Sequence, residues 1–190
     1  MTTLGNAIPG DFNQTQTITI VDNDNPPTEP GAVRTIYTEN FAGGLPATWQ
    51  NIDNTGGGTW THSTAPPANW TAYGLSGSPS FTSAANGFVL FDSDGFANDG
   101  NAEDAELITL AFDCSNYSNA ILNFEQQFCK YQSDITTVGV SNDGTNFTMT
   151  TINTGISQDA CTDNPQATTI DISAVADGQA TVYLLSLIHI

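Results

Sequence analysis

The chain has 190 residues, of which 20 are acidic and two basic, for a net charge of −18. Arg34 and Lys130 cannot form the clustered positive face that nucleic acid or anionic lipid requires, so charge excludes both partner classes. No run approaches the ~20 apolar residues of a membrane helix, so no membrane insertion is expected.

Residues 1–24 contain one clear strand, Thr15–Val21, which alternates polar and apolar residues and ends in Asp22-Asn23-Asp24. Pro26, Pro27 and Pro30 follow, and residues 25–33 read as a stiff linker. One or two strands cannot form a core alone. Residues 1–24 therefore read as the terminal β-hairpin remnant of a preceding β domain. Their Val-Asp-Asn-Asp ending resembles the closing strand of Calx-beta repeats.

From Thr35 onward, short strands alternate with turn signals. The expected strands are 35–38, 48–52, 59–62, 88–91, 106–112, 120–129, 136–141, 147–152, 169–172 and 181–185. Asn142-Asp143-Gly144 marks a hairpin turn, and residues 171–177 suit one short helical turn. No segment carries a 3.6-residue apolar stripe over three turns. The architecture expected is all-β, an antiparallel β-sandwich of jelly-roll type spanning residues 34–185. Leu184–Ile190 is more apolar than anything upstream. Residues 186–190 read either as a buried last strand or as a non-native tail.

Phe88–Phe91 leads into a loop holding Asp92, Asp94, Asp99, Glu103 and Asp104, with no Lys or Arg nearby. Packed carboxylates repel one another, so a folded loop of this kind needs a cation or full solvation. Oxygen-rich loops of Asp, Asn and carbonyl groups suit calcium.

Thr, Asn, Ser and Gly are abundant, and helix-promoting Lys, Arg and Glu are scarce. That composition fits a secreted module, extracellular or held at a cell surface. Met1 is followed by polar residues, with neither a basic nor an apolar leader region, so the chain reads as an internal fragment. Cys114, Cys129 and Cys161 allow one disulfide and one odd thiol. Three pairings are open. Cys129 with Cys161 is preferred, because Cys114 sits in a tight turn beside its own strand.

Catalysis lacks a constellation, and the chain is not expected to be an enzyme. His62 and His189 are the two histidines, and neither sits near a nucleophile elbow. Three Cys and one credible His lack zinc-ligand spacing. Trp49 and Trp60 fall on strands and suit core packing better than sugar stacking. Trp70 and Tyr73 sit in the long loop of residues 63–87, where an aromatic pair can meet a glycan or a peptide.

Five pieces in order carry a resemblance. They are Thr38-Glu39-Asn40-Phe41 with Leu45-Pro46 and Trp49; Asp53 with Gly58-Thr59-Trp60; Phe91-Asp92-Ser93-Asp94; Asp104-Ala105-Glu106-Leu107-Ile108-Thr109; and Val140-Ser141-Asn142-Asp143-Gly144 before Phe147. Residues 35–185 resemble the choice-of-anchor J and cleaved-adhesin domains of secreted bacterial proteins, which are similar to MAM-type jelly rolls. The resemblance implies a calcium-bearing, non-catalytic adhesion module with a glycan or protein ligand. Its candidate metal ligands by position are Glu39, Asp53, Asp92, Asp94 and Asp104. The alternative is a structural spacer or accessory domain of a large secreted hydrolase. Two departures stand out. Glu106 occupies a position that is often aromatic in relatives, and the family's closing strands, with an aromatic and an Asp, are absent.

Overall fold

The computed structural model describes residues 16–21, 33–66, 79–96, 102–131 and 133–190. The order is β1 (Gln16–Val21), β2 (Val33–Glu39), β3 (Gln50–Asp53), β4 (Thr61–Ser63), β5 (Phe88–Leu90), α1 (Ser93–Phe96), β6 (Asp104–Ile108), β7 (Ala120–Gln126), β8 (Cys129–Lys130), β9 (Ile135–Ser141), β10 (Thr148–Ile152), β11 (Ala160–Cys161), β12 (Gln166–Asp171), α2 (Ser173–Ala176) and β13 (Tyr183–His189). A four-stranded sheet runs β12-β7-β1-β2, and a five-stranded sheet runs β10-β9-β13-β6-β3. All pairings are antiparallel. The antiparallel sandwich is the class that the short strands and turn signals predict.

The core lies between the sheets. Ala120 and Leu122 from β7 meet Val138 and Val140 from β9 and Leu184 from β13. Ile172, Ala176 and Val182 close one end of it. Along β7 alternation sends Ala120 and Leu122 inward and leaves Ile121 and Asn123 partly exposed, whereas β9 and β13, each between two strands, also bury the neighbouring Ser141 and Leu185. A second, smaller cluster of Phe41, Trp49 and Leu107 is flanked by Tyr37, Leu45, Trp60 and Val89. Trp49 is therefore a core residue, edge-on to Phe41 at 5.9 Å.

β1 lies inside the four-stranded sheet, with Thr17 opposite Asn123 on β7 and Thr38 on β2. This is the strand read above as the end of a preceding domain. Prolines after it argued for a linker, but a six-residue strand leaves both of its own edges unpaired. Between β2 and β7 both ladders are filled. The tail residues 186–190 continue β13, which pairs with β9 on one side and β6 on the other. Main-chain bonds between Glu103 and Ile190 extend that pairing.

Several strand limits shift for local reasons. The stretch 106–112 splits. β6 ends at Ile108, and Phe112 makes an isolated bridge to Val182. The stretch 120–129 divides where the chain crosses from β7 to β8, a two-residue strand paired with β11. That ribbon carries the Cys129–Cys161 disulfide, the preferred pairing. Cys114 is a buried free thiol. Burial, with Asp113 and Asp177 nearby, pushes it up to about 12.

The hairpin joining β9 to β10 turns where Asn142-Asp143-Gly144 predicts. Asp143 Oδ1 accepts from the N–H groups of Thr145 (2.8 Å) and Asn146 (2.7 Å), and Oδ2 accepts from Asn146 Nδ2 at 2.7 Å. Ser141 Oγ donates to Asp143 and accepts from the Gly144 N–H. Gly144 has φ +74°, a conformation that glycine adopts without strain.

Candidate functional site

Asp53 and Asp104, two of the acids named from sequence, sit on the paired strands β3 and β6, of which β6 supplies Leu107 to the smaller cluster. β3 and β6 pair so that Asp53 lies opposite Ala105, and the Asn54 N–H donates to the Asp104 carbonyl at 2.8 Å. Trp60 Nε1 donates to the Ala105 carbonyl at 3.3 Å, and its ring meets Phe91 edge-on at 5.8 Å. Phe91 delivers the chain to Asp92. Asp53 and Asp104 thus lie on neighbouring strands, and the Trp60–Phe91 contact brings the chain just before Asp92 to them.

Each of these carboxylates has local partners. Asp53 Oδ1 accepts from the N–H groups of Thr55 (3.0 Å), Gly56 (2.6 Å) and Gly57 (3.2 Å), and Oδ2 accepts from Gly58 at 2.9 Å. The glycine run lets four consecutive amides curl around one carboxylate. The Gly58 bond, followed by the other three, holds Asp53 below the usual carboxylate range. Glu39 Oε1 accepts from the Phe41 N–H at 2.7 Å, and Asp92 Oδ1 from the Gly95 N–H at 3.1 Å. Asn54 Nδ2 bridges Asp104 Oδ1 (3.1 Å) and Glu106 Oε1 (3.2 Å), while Asp104 Oδ2 lies 3.4 Å from His189 Nδ1.

Among the described residues, no three His, Cys, Asp or Glu side chains come together where a metal could sit. Glu39, Asp53, Asp92 and Asp104 as placed do not fit a single calcium cage. The side chain of Asp94, together with Trp70, Tyr73 and Asp99, lies outside the described residues.

Two of the depressed carboxylates, Asp53 and Asp143, predict an acid response. Asp143 is also held below the usual range, by the Asn146 side chain first and then by main-chain N–H groups. For both, the folded pKa is below the unfolded value of about 3.9. Their stabilisation is present above about pH 4 and is lost as pH falls through the folded values. Asp53→Asn and Asp143→Asn should each flatten the fall in melting temperature between about pH 4 and pH 2. Thermal unfolding followed by circular dichroism across that range checks it.

A polar groove of about 210 Å³ runs along β7 and β12, lined by Thr82, Asn123, Phe124, Glu125 and Ala167–Thr169. Glu125 Oε2 accepts from Thr82 N (2.7 Å) and Oγ1 (2.9 Å), which ties the turn at residues 82–86 to the sheet. Thr169 Oγ1 donates to Asn123 Oδ1 at 2.7 Å. The volume is below the ~300 Å³ at which small-molecule pockets begin. Sequence reading passed over Glu125. Its signal is a single carboxylate in the strand Ala-Ile-Leu-Asn-Phe-Glu-Gln.

His62 and the three cysteines all have partners or are buried. His62 Nε2 lies 3.2 Å from the Asn86 carbonyl and must donate to it, since a carbonyl only accepts. Two cysteines are bonded to each other, and the third is buried with a raised pKa.

No family model and no curated protein matches this chain. The structure is similar to the crystal structure of a cleaved adhesin domain of Lys-gingipain from Porphyromonas gingivalis. The two share 23% sequence identity with a TM-score of 0.47, over 80% of this chain and 93% of the other.

Proposed function

We propose that this chain is a non-catalytic, calcium-stabilised binding module of a secreted or surface bacterial protein, with an extracellular glycan or protein as its ligand. The observation that carries the reading is how the adhesin-like sequence pieces meet. Phe41 and Trp49 from the first of those pieces and Leu107 from the fourth form one buried cluster, and Trp60 from the second packs on it together with Val89. Glu39, Asp53, Asp92 and Asp104 belong to the same sequence pieces. The Cys129–Cys161 disulfide across the two-stranded β8–β11 ribbon supports an oxidising, extracellular setting.

In this reading calcium does no chemistry and acts at the loop from Asp92 to Asp104. Asp92, Asp94 and Asp104 supply oxygens there. Glu39 and Asp53, whose oxygens already accept main-chain N–H groups, shape the adjoining loops. Trp70 and Tyr73 form the ligand-facing aromatic pair.

The test is thermal unfolding of the full chain in about 2 mM calcium and again in excess chelator. That concentration exceeds the ~1 mM weak limit of extracellular sites. A site with a dissociation constant near 0.1 mM would add about 1.8 kcal/mol, raising the melting temperature by about 4–7 °C. Asp92→Asn with Asp94→Asn should abolish the rise. Superimposable curves would remove calcium from the reading and leave the spacer alternative.

A further inference from the structure

Four strands lie at the edges of the two sheets: β2 and β12 in one, β3 and β10 in the other. An exposed edge offers a row of main-chain N–H and C=O groups to any extended segment, and proteins blunt such edges with charge, bulges, proline or cover. Three of these edges are blunted. On β3, Asn51 Nδ2 donates to the Trp60 carbonyl (2.7 Å) and Asn51 Oδ1 accepts from the Trp60 N–H (3.1 Å), so residue 60 occupies the place of a neighbouring strand. β2 carries Arg34 and Glu39, and its pairing with β1 is bulged. β12 carries Asp171, and Pro165 precedes it beside Asn164, which accepts from the Ser80 N–H.

Among the described residues, β10 has none of these devices. Thr148-Met149-Thr150-Thr151-Ile152 contains no charge and no proline, and its register with β9 is continuous. Thr148 to Thr151 are all exposed, with Met149 at 43%. Both ends are fixed. The Asp143 turn holds one. At the other, Asn153 Nδ2 donates to Gln126 Oε1 (3.1 Å) and Thr136 Oγ1 (2.9 Å). The strand is held extended before any partner arrives, which lowers the ordering cost of pairing.

We propose that β10 accepts an extended segment of a partner polypeptide as a sixth strand, and that this segment is uncharged at its centre and basic at its flanks. A neutral centre matches a neutral strand. Basic flanks match a chain of net charge −18, with Asp143 before β10 and Asp159 after it. A second copy of the chain fits less well, because it brings the same negative charge. It would also meet β10 along only about 17 Å, five residues at ~3.4 Å each. The inference gives the binding reading above a protein ligand and rests on that reading, but its test needs no calcium.

The probe is a seven-residue peptide alternating threonine and valine, with a lysine at each end and both termini blocked. Amide hydrogen exchange of the full chain is followed by NMR as peptide is added. Alternate N–H groups within Thr148–Ile152 should slow about tenfold or more, while those of β2 and β12 stay unchanged. The same peptide with a central proline should give no protection, because proline removes a ladder donor. Met149→Lys with Thr151→Lys, both at exposed positions, should abolish protection without moving the melting temperature. Unchanged exchange at millimolar peptide overturns the proposal, as does equal protection by the proline peptide. Protection that rises with protein concentration in the absence of peptide assigns the edge to a second copy and overturns it too. Peptide pairing without a calcium effect on melting keeps this inference and removes only the metal.

Discussion

Deleting Tyr183–Ile190 should leave a chain that does not fold. β13 is the middle strand of the five-stranded sheet, in register with β9 from Tyr183 to His189 and with β6 from Leu185 to His189. Its Leu184, Leu185 and Ile188 are buried. Burying one such side chain stabilises by roughly 1.5–3 kcal/mol, so three contribute about 5–9 kcal/mol. That is comparable to the whole stability of a typical domain, about 5–15 kcal/mol. The deletion would also leave β6 and β9 with facing unpaired edges. Loss of the cooperative thermal transition and of the near-ultraviolet circular dichroism signal is the expected result. Leu184→Ala is the graded form and should cost about 2–5 kcal/mol in urea unfolding. A truncated chain that still melts cooperatively would show that the sheet closes without its central strand.

The second large effect is expected at the disulfide. Cys129 and Cys161 are 32 residues apart, and the loop between them contains the whole β9–β10 hairpin. Constraining a loop of that length in the unfolded chain stabilises the fold by about 3–4 kcal/mol. Cys129→Ser with Cys161→Ser should lower the urea midpoint accordingly, and a reductant should reproduce the shift in the parent chain. Cys114→Ser in both chains keeps the odd thiol out of the experiment. In the folded chain that thiol is buried and raised to about 12, but urea exposes it and restores an ordinary thiol that can attack the bridge. Equal midpoints with and without the bridge would count against this estimate.

Local turn chemistry and strand alternation were legible in the sequence, and long-range partnership was not. Asn142-Asp143-Gly144 announces its hairpin because a side-chain carboxylate and a glycine act within four residues. Thr15–Val21 announces a strand, but alternation says nothing about which strands flank it, so the prolines that follow drew a boundary there. The tail gave only an apolar run, which suits a central strand and a foreign end equally.

The acids show the same limit at closer range. Composition cannot distinguish a carboxylate that faces a metal from one that faces its own backbone. At Asp53 a usable signal was present. Gly56-Gly57-Gly58 follows it, and three glycines can turn their amides toward one oxygen pair. No comparable signal precedes Asp104, whose partners Asn54 and His189 come from distant parts of the chain.

Among the described strands β1 comes first and β13 last, yet each lies between two neighbours. A module held under tension through its ends would therefore be loaded on interior strands. Neither can peel from an edge. Each must break two hydrogen-bonded ladders at once, and the disulfide limits how far the hairpin between them can be drawn out. The arrangement resists force along the chain much better than one with terminal strands at its rims.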